Sequence, residues 1–154
     1  MKIKTKIFGE IDINDDKVIY FENGLPGFEN LKKFLFMTDE DENSPFCWLQ
    51  SIEDLDIVFT LFDVFRFLPD YNPIVEIESF DKLDNDTEDS LMVYCIAHIP
   101  NDVKNMTINL KAPVVINADN NKANQFICSN EEYPIKYYIY KELLKNHSNE
   151  SGGE

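Results

Sequence analysis

The stretch Pro45-Phe46-Cys47-Trp48-Leu49-Gln50-Ser51, with Ile57-Val58-Phe59-Thr60-Leu61-Phe62-Asp63 and Val64-Phe65-Arg66-Phe67-Leu68-Pro69-Asp70-Tyr71 after a polar break, decides how the chain must fold. It holds the only tryptophan and a dense group of phenylalanines. Its apolar runs are short, rich in β-branched and aromatic residues and bounded by turn formers, which is the pattern of strands. Residues 57–62 are apolar on both faces, so this strand belongs in the middle of a core with neighbours covering it. Read as extended chain, Phe65 and Phe67 share a side and run into Pro69, Asp70 and Tyr71. That is a stiff aromatic corner, which either caps the core or presents a docking surface.

Strand patterns continue on both sides of this centre. Ile3, Thr5 and Ile7 alternate with Lys2, Lys4 and Lys6, giving a half-buried strand with a basic outer face, and Phe8-Gly9 permits a bend. Glu10–Ile13 and Val18–Phe21 read as further strands. Asn23-Gly24-Leu25-Pro26-Gly27-Phe28 is a shaped loop in which the glycines supply unusual backbone angles. Phe28, Leu31 and Leu35 then recur at helical spacing and predict a short helix. Asp39-Glu40-Asp41-Glu42-Asn43 is a solvated acidic loop without the central glycine of a calcium loop. Leu91–Ile99 predicts a long strand, and Thr107–Asn117 a strand interrupted at Ala112-Pro113, because proline cannot donate to a ladder. Asn109 is placed to satisfy backbone groups at that break. Asp119–Lys122 is a hairpin turn, Gln125–Cys128 a returning strand, and Tyr133–Tyr140 the strand that closes the domain.

Short strands with a turn every ten or so residues predict a mainly β fold. The expected architecture is a single small antiparallel domain, barrel-like or of two packed sheets, with one or two short helices. It spans residues 1–140; residues 141–154 read as a weak helix and a tail of disordered composition.

The chain has 154 residues, 14 Lys and Arg against 29 Asp and Glu, and a net charge of -15. That balance argues against direct binding of nucleic acid or an anionic membrane and favours a basic or amphipathic protein partner. The region 76–89 is the most acidic, with Lys82 its only cation. Cys47, Cys95 and Cys128 lie far apart in apolar strands, an arrangement of buried, reduced thiols and not of a disulfide framework or zinc site. The chain shows no signal-peptide pattern and no apolar run near the ~20 residues of a membrane span, so a cytoplasmic location is expected.

Motifs that carry chemistry are missing from the sequence. It has no G-x-S-x-G elbow, no H-x-x-x-H pair and no G-x-G-x-x-G or GKS/T loop. His98 and His147 stand alone, so neither is read as a metal ligand or base. No catalytic, cofactor-binding or metal-binding residue is expected. A carboxylate pair brought together in space, as in a hydrolase, is the one catalytic alternative the sequence leaves open.

The order of segments carries more than their composition. Thr5-Lys6-Ile7-Phe8-Gly9, Phe21-Glu22-Asn23-Gly24-Leu25-Pro26-Gly27-Phe28, Ser44–Ser51, Asp63–Tyr71, Met106–Asn117 and Gln125-Phe126-Ile127 follow one another in an order that resembles the bacterial FliW flagellar assembly factors. The likeness covers about residues 1–140. Asp63-Val64-Phe65 stands where Asp-Pro-Phe is common, and the tail has no evident counterpart. The resemblance implies a β-barrel-like cytoplasmic protein that binds unassembled flagellin. When flagellin is exported, the freed protein binds CsrA, the RNA-binding repressor of flagellin translation, and relieves repression. An acidic nucleic-acid mimic that blocks an RNA-binding protein is the rival binding role. At residue level, Phe65, Phe67, Asp70 and Tyr71 are expected to form a partner-docking rim, with Glu76 and Glu78 adding charge. The competing expectation puts Phe65 and Phe67 in the core, where most phenylalanines of small domains lie.

Overall fold

The structure is a computed structural model and describes residues 2–75 and 91–145. In chain order its strands are β1 (Lys2–Thr5), β2 (Gly9–Asp12), β3 (Val18–Phe21), β4 (Lys33–Thr38), β5 (Phe46–Ser51) and β6 (Val58–Phe62). A single-turn helix, α1 (Val64–Phe67), comes next. Then follow β7 (Leu91–His98), β8 (Thr107–Ile108), β9 (Val114–Asn117), β10 (Lys122–Gln125) and β11 (Tyr137–Tyr138). Residues 140–145 are helical.

Seven of the strands close a ring in the order β3-β4-β5-β6-β7-β9-β10 and back to β3. All neighbours are antiparallel except β10 and β3, whose short parallel seam pairs Lys122 with Tyr20 and Ala123 with Phe21. The fold is therefore a closed barrel and not two packed sheets. Closure removes the unpaired edges that an open sheet would expose.

Alternation along the strands decides which side chains fill the barrel. Ile19, Phe21, Phe34, Leu49, Leu61 and Ile116 point inward and are buried, with Phe36, Phe59, Met92, Tyr94 and Ile96 packed against them. The intervening positions point outward, and a second core forms there. Phe62, Cys95, Ile108, Leu110, Tyr71 and Ile139 pack on the barrel's outer wall beneath α1, β8 and β11. This explains why residues 57–62 are apolar on both faces: one face fills the barrel and the other receives a covering layer.

The β1–β2 ribbon forms a separate two-stranded sheet. Phe8 meets Trp48 edge to face, with ring centroids 5.6 Å apart, and the Lys6 ammonium reaches Asp56 at 2.9 Å. The bend expected at Phe8-Gly9 is present, with Gly9 at φ 69°. At Ala112-Pro113 the ladder breaks between β8 and β9. There the Asn109 side-chain oxygen accepts from the backbone N–H groups of Lys111 at 3.1 Å and Ala112 at 3.0 Å.

Three expectations are corrected. The helix predicted from Phe28, Leu31 and Leu35 does not form. Residues 25–30 are turns and an isolated bridge between Leu25 and Phe28, and Lys33–Thr38 is β4. Pairing to β3 on one side and β5 on the other outweighs a helical spacing that rests on three residues. The strand expected at Gln125–Cys128 instead runs from Lys122 to Gln125. Of Tyr133–Tyr140, only Tyr137 and Tyr138 are strand, because β11 finds just Ile108 and Thr107 of β8 to pair with.

All three cysteines are buried and free. Burial, aided by the nearby Asp63 charge, pushes the Cys47 thiol up from 9.0 to about 12. Burial chiefly does the same for Cys95, also to about 12. A thiol whose folded pKa lies above its unfolded value supports stability below the unfolded value and loses that support as pH rises. Urea midpoints should therefore hold steady to about pH 9 and fall between about 9 and 12. The limiting slope is about 1.4 kcal/mol per pH unit for each thiol. An unchanged midpoint between pH 8 and 10.5 would contradict this assignment.

Candidate docking groove

The sequence Asp63–Tyr71 folds as one helical turn followed by a tight return. The N–H of Leu68 donates to the Val64 carbonyl at 2.8 Å, and that of Tyr71 to Leu68 at 3.0 Å. Val64 is fully buried and anchors the turn. Residues two apart on a helix lie about 200° apart, so Phe65 and Phe67 point in different directions. This corrects the expectation that they share a side. Phe67 is half-buried against Phe62, with ring centroids 5.3 Å apart, while Phe65 remains 41% exposed and leans on the Tyr71 ring at 5.8 Å.

Tyr71 is the hub of the corner. It is buried, and its hydroxyl donates to the Leu110 carbonyl at 2.7 Å. Burial raises its pKa far above the usual tyrosine range. Its ring meets Tyr133 edge to face at 4.8 Å, and the Tyr133 hydroxyl accepts from the Asn72 N–H at 2.8 Å. Asn130 completes the junction, accepting from the Ile74 N–H and donating to the Asn72 carbonyl. The segments 71–75 and 128–133 are thus clamped together across about sixty residues of sequence.

Beside this junction, between residues 67–71 and 132–137, lies an open groove of about 440 Å³. Phe67, Pro69, Tyr71, Leu110, Tyr133 and Tyr137 supply an apolar lining, with Asp70 and Glu132 among the wall residues. Asp70 and Glu132 are both exposed. The Glu132 carboxylate accepts from its own backbone and from the Asn130 amide, which hold its pKa below the ordinary value. Neither carboxylate forms an ion pair among the described residues. An aromatic floor beside unpaired acids suits a protein segment that offers apolar anchors and a basic neighbour.

Of the expected docking rim, Phe67, Asp70 and Tyr71 converge on this groove. Phe65 does not line it, although it buttresses Tyr71 from behind. Glu76 and Glu78 lie outside the described residues. The other wall, Glu132, Tyr133 and Tyr137, was not singled out as a contact surface by the sequence reading. Its only local signal is the tyrosine density of 133–140; its place opposite Tyr71 is set by topology.

The sequence model described as FliW protein matches residues 2–139. The chain belongs to the FliW family. A FliW relative from Thermoanaerobacter pseudethanolicus, named flagellar assembly factor FliW, is 47% identical over 149 residues, covering 97% of this chain and 99% of the relative. One of the same name from Caldicellulosiruptor saccharolyticus is 41% identical over 144 residues, covering 94% and 93%. A solved crystal structure of the flagellar assembly factor FliW superposes with a TM-score of 0.83 at 30% identity, covering 90% of this chain and 96% of that one. The barrel is therefore the FliW fold, and the chain is a flagellar assembly factor by family. No helix among the described residues is long and apolar enough to cross a membrane.

Proposed function

We propose that this chain works in the cytoplasm as a non-catalytic partner switch. It holds unassembled flagellin, and when export removes flagellin it binds the translational repressor CsrA. Flagellin synthesis is then matched to demand. The observation that carries this reading is the aromatic groove between α1 and residues 132–137, with two carboxylates that form no ion pair among the described residues. A groove of this composition supports docking of an amphipathic helix, which places apolar side chains on one stripe. The net charge of -15 supports a basic second partner and rapid encounter with it.

Pull-downs with flagellin and CsrA, separately and together, test the switch. Each should bind alone, and excess flagellin should displace CsrA. Failure to retain either protein would reject the proposal. Within the groove, Tyr133→Ala should weaken flagellin binding by about 2 kcal/mol, roughly thirtyfold, as central aromatic anchors do. Tyr133→Phe keeps the ring and should retain most of the affinity. Equal affinities for the three proteins would remove the groove from the interface.

Glu76 and Glu78 are proposed to add charge that steers CsrA. Reversing both to lysine should slow association severalfold at low salt and flatten its salt dependence, because steering is screened by ions. Stopped-flow association rates that are unchanged across salt would reject that role.

A further inference from the structure

The barrel has a mouth where β6 begins and β10 ends, and a hollow of about 340 Å³ opens there. Leu25, Pro26, Phe59, Ile96, Ala112 and Ile127 give it apolar walls. No charged side chain lines it, although charged residues make up 28% of the chain. Its two polar wall residues bond to nearby backbone. The Gln125 amide donates to the Ala112 carbonyl at 2.9 Å, and the Asn109 oxygen accepts from the Lys111 and Ala112 N–H groups. Water in the hollow therefore finds few partners, and an apolar guest gains by displacing it.

The rim of this hollow is held in place. Ile127 is 76% exposed, yet its neighbours Phe126 and Cys128 are buried. Their N–H groups donate to the Pro113 carbonyl at 3.0 Å and the Lys111 carbonyl at 2.9 Å, so the backbone fixes Ile127 outward. On the loop after β3, the Phe28 N–H donates to the Leu25 carbonyl at 2.7 Å, and the Phe28 ring meets Phe59 edge to face at 5.2 Å. An apolar side chain fixed in water at the edge of an apolar hollow loses little further freedom when a partner covers it.

A polar hollow of about 310 Å³ adjoins the first, since Pro26 and Gln125 line both. Asn124 faces it from β10 and is only 7% exposed. The Asn124 side-chain oxygen accepts from the Gln125 N–H at 3.0 Å, which leaves the amide nitrogen turned to the hollow with no partner among the described residues. A donor withdrawn from water in this way costs stability until an acceptor reaches it. Glu29 stands on the same rim. Its carboxylate accepts from its own backbone N–H and from that of Gly27, which hold its pKa below the ordinary value. It forms no ion pair among the described residues.

A main-chain carbonyl satisfies the Asn124 donor, a cation satisfies Glu29, and an apolar side chain fills the uncharged hollow. A peptide segment offers all three within a few residues. A second copy of this chain does not, because a two-fold contact here would bring Glu29 towards its own image on a chain of net charge -15. We infer that this mouth is a docking surface in its own right, for an extended protein segment that places an apolar side chain in the hollow, a main-chain carbonyl at the Asn124 amide and a neighbouring lysine or arginine at Glu29. It adds a contact surface to the one in the groove and stands whether or not the groove holds flagellin.

The test is an amide-shift titration of the full chain with three capped peptides, acetyl-Gly-Leu-Lys-amide, acetyl-Gly-Leu-Glu-amide and acetyl-Gly-Ser-Lys-amide. Shifts should concentrate at residues 23–29, 59, 96 and 124–127, with the Leu-Lys peptide binding several times more tightly than either of the others. Ile127→Ser changes an exposed side chain and should weaken the Leu-Lys peptide severalfold. Glu29→Gln keeps the oxygen that accepts from Gly27 and should abolish the preference for Leu-Lys over Leu-Glu. Asn124→Asp keeps the oxygen that accepts from Gln125, loses the donor, and should weaken both leucine peptides by about tenfold. Should Asn124→Asp not fold, Ile127→Ser and Glu29→Gln decide the matter. Leu144→Ser, at an exposed position outside both hollows, should leave the titration unchanged. Absent shifts, shifts spread over the whole surface, or equal affinity for the serine peptide would overturn the inference. So would unaltered binding by Ile127→Ser and Glu29→Gln. Self-association of the chain that Ile127→Ser abolishes would assign the hollow to a second copy and overturn it too. Loss of flagellin or CsrA binding in the pull-downs bears on the partner switch alone.

Discussion

Phe62→Ala is expected to lower unfolding free energy by about 4 kcal/mol, the middle of the range for a fully buried aromatic. Phe62 is fully buried on the outward face of β6, where the Phe46 ring meets it at 5.6 Å and the Phe67 ring at 5.3 Å. Truncation leaves a cavity between the barrel wall and its covering layer, and the closed ring of strands cannot collapse to fill it. Phe67 is also a groove wall, so the variant should lose partner affinity while it is still folded. Phe65→Ala is the contrast, since a ring already 41% exposed has less to lose. Urea unfolding of the three proteins measures the difference. A Phe62→Ala loss below about 1.5 kcal/mol would mean that the outer layer is not packed as described.

Gly24→Ala is expected to cost about 3 kcal/mol, corresponding to a fall of about 10 °C in Tm for a chain of this size. Gly24 has φ 64°, which an L-residue adopts only at a cost. A methyl group there would also sit 2.6 Å from the Glu29 Cα and 2.7 Å from its carbonyl oxygen. Both obstacles are backbone, so no side-chain rotation clears them. Gly27 is the control: its φ is 84°, but an added Cβ meets nothing within 4 Å. Gly27→Ala should therefore pay only the conformational cost, about 1–2 kcal/mol. Thermal melts of both variants separate the two contributions, and equal losses would refute the close approach to Glu29.

The sequence was most legible where a local rule and the tertiary need agreed. Residues 57–62, apolar on both faces, announced a strand with cover on each side, and β6 has it. Ala112-Pro113 announced a break, and Asn109 satisfies the backbone there. Legibility failed where pairing decides. Lys33–Thr38 is a strand because β3 and β5 flank it, whatever the spacing of Phe28, Leu31 and Leu35 suggests. The aromatic corner was visible as a candidate, but half a helical turn sets Phe65 and Phe67 on different sides, and a four-residue helix leaves almost no periodic signal. The far wall of the groove was hidden for another reason. Tyr133 meets Tyr71 only after the chain has built β7 to β10 and returned across the barrel's outer face.

The parallel seam between β3 and β10 has a consequence for how the molecule is made. Tyr20 pairs with Lys122 and Phe21 with Ala123, so the ring cannot shut until residues near 123 have left the ribosome. Until then Phe21, Phe34 and Leu49 belong to an open, curling sheet with exposed apolar side chains, a state prone to sticking to its neighbours. Contacts this distant in sequence also slow folding. The newly synthesised chain is thus most vulnerable late in translation, and its capacity to hold partners should appear abruptly, near the end of synthesis.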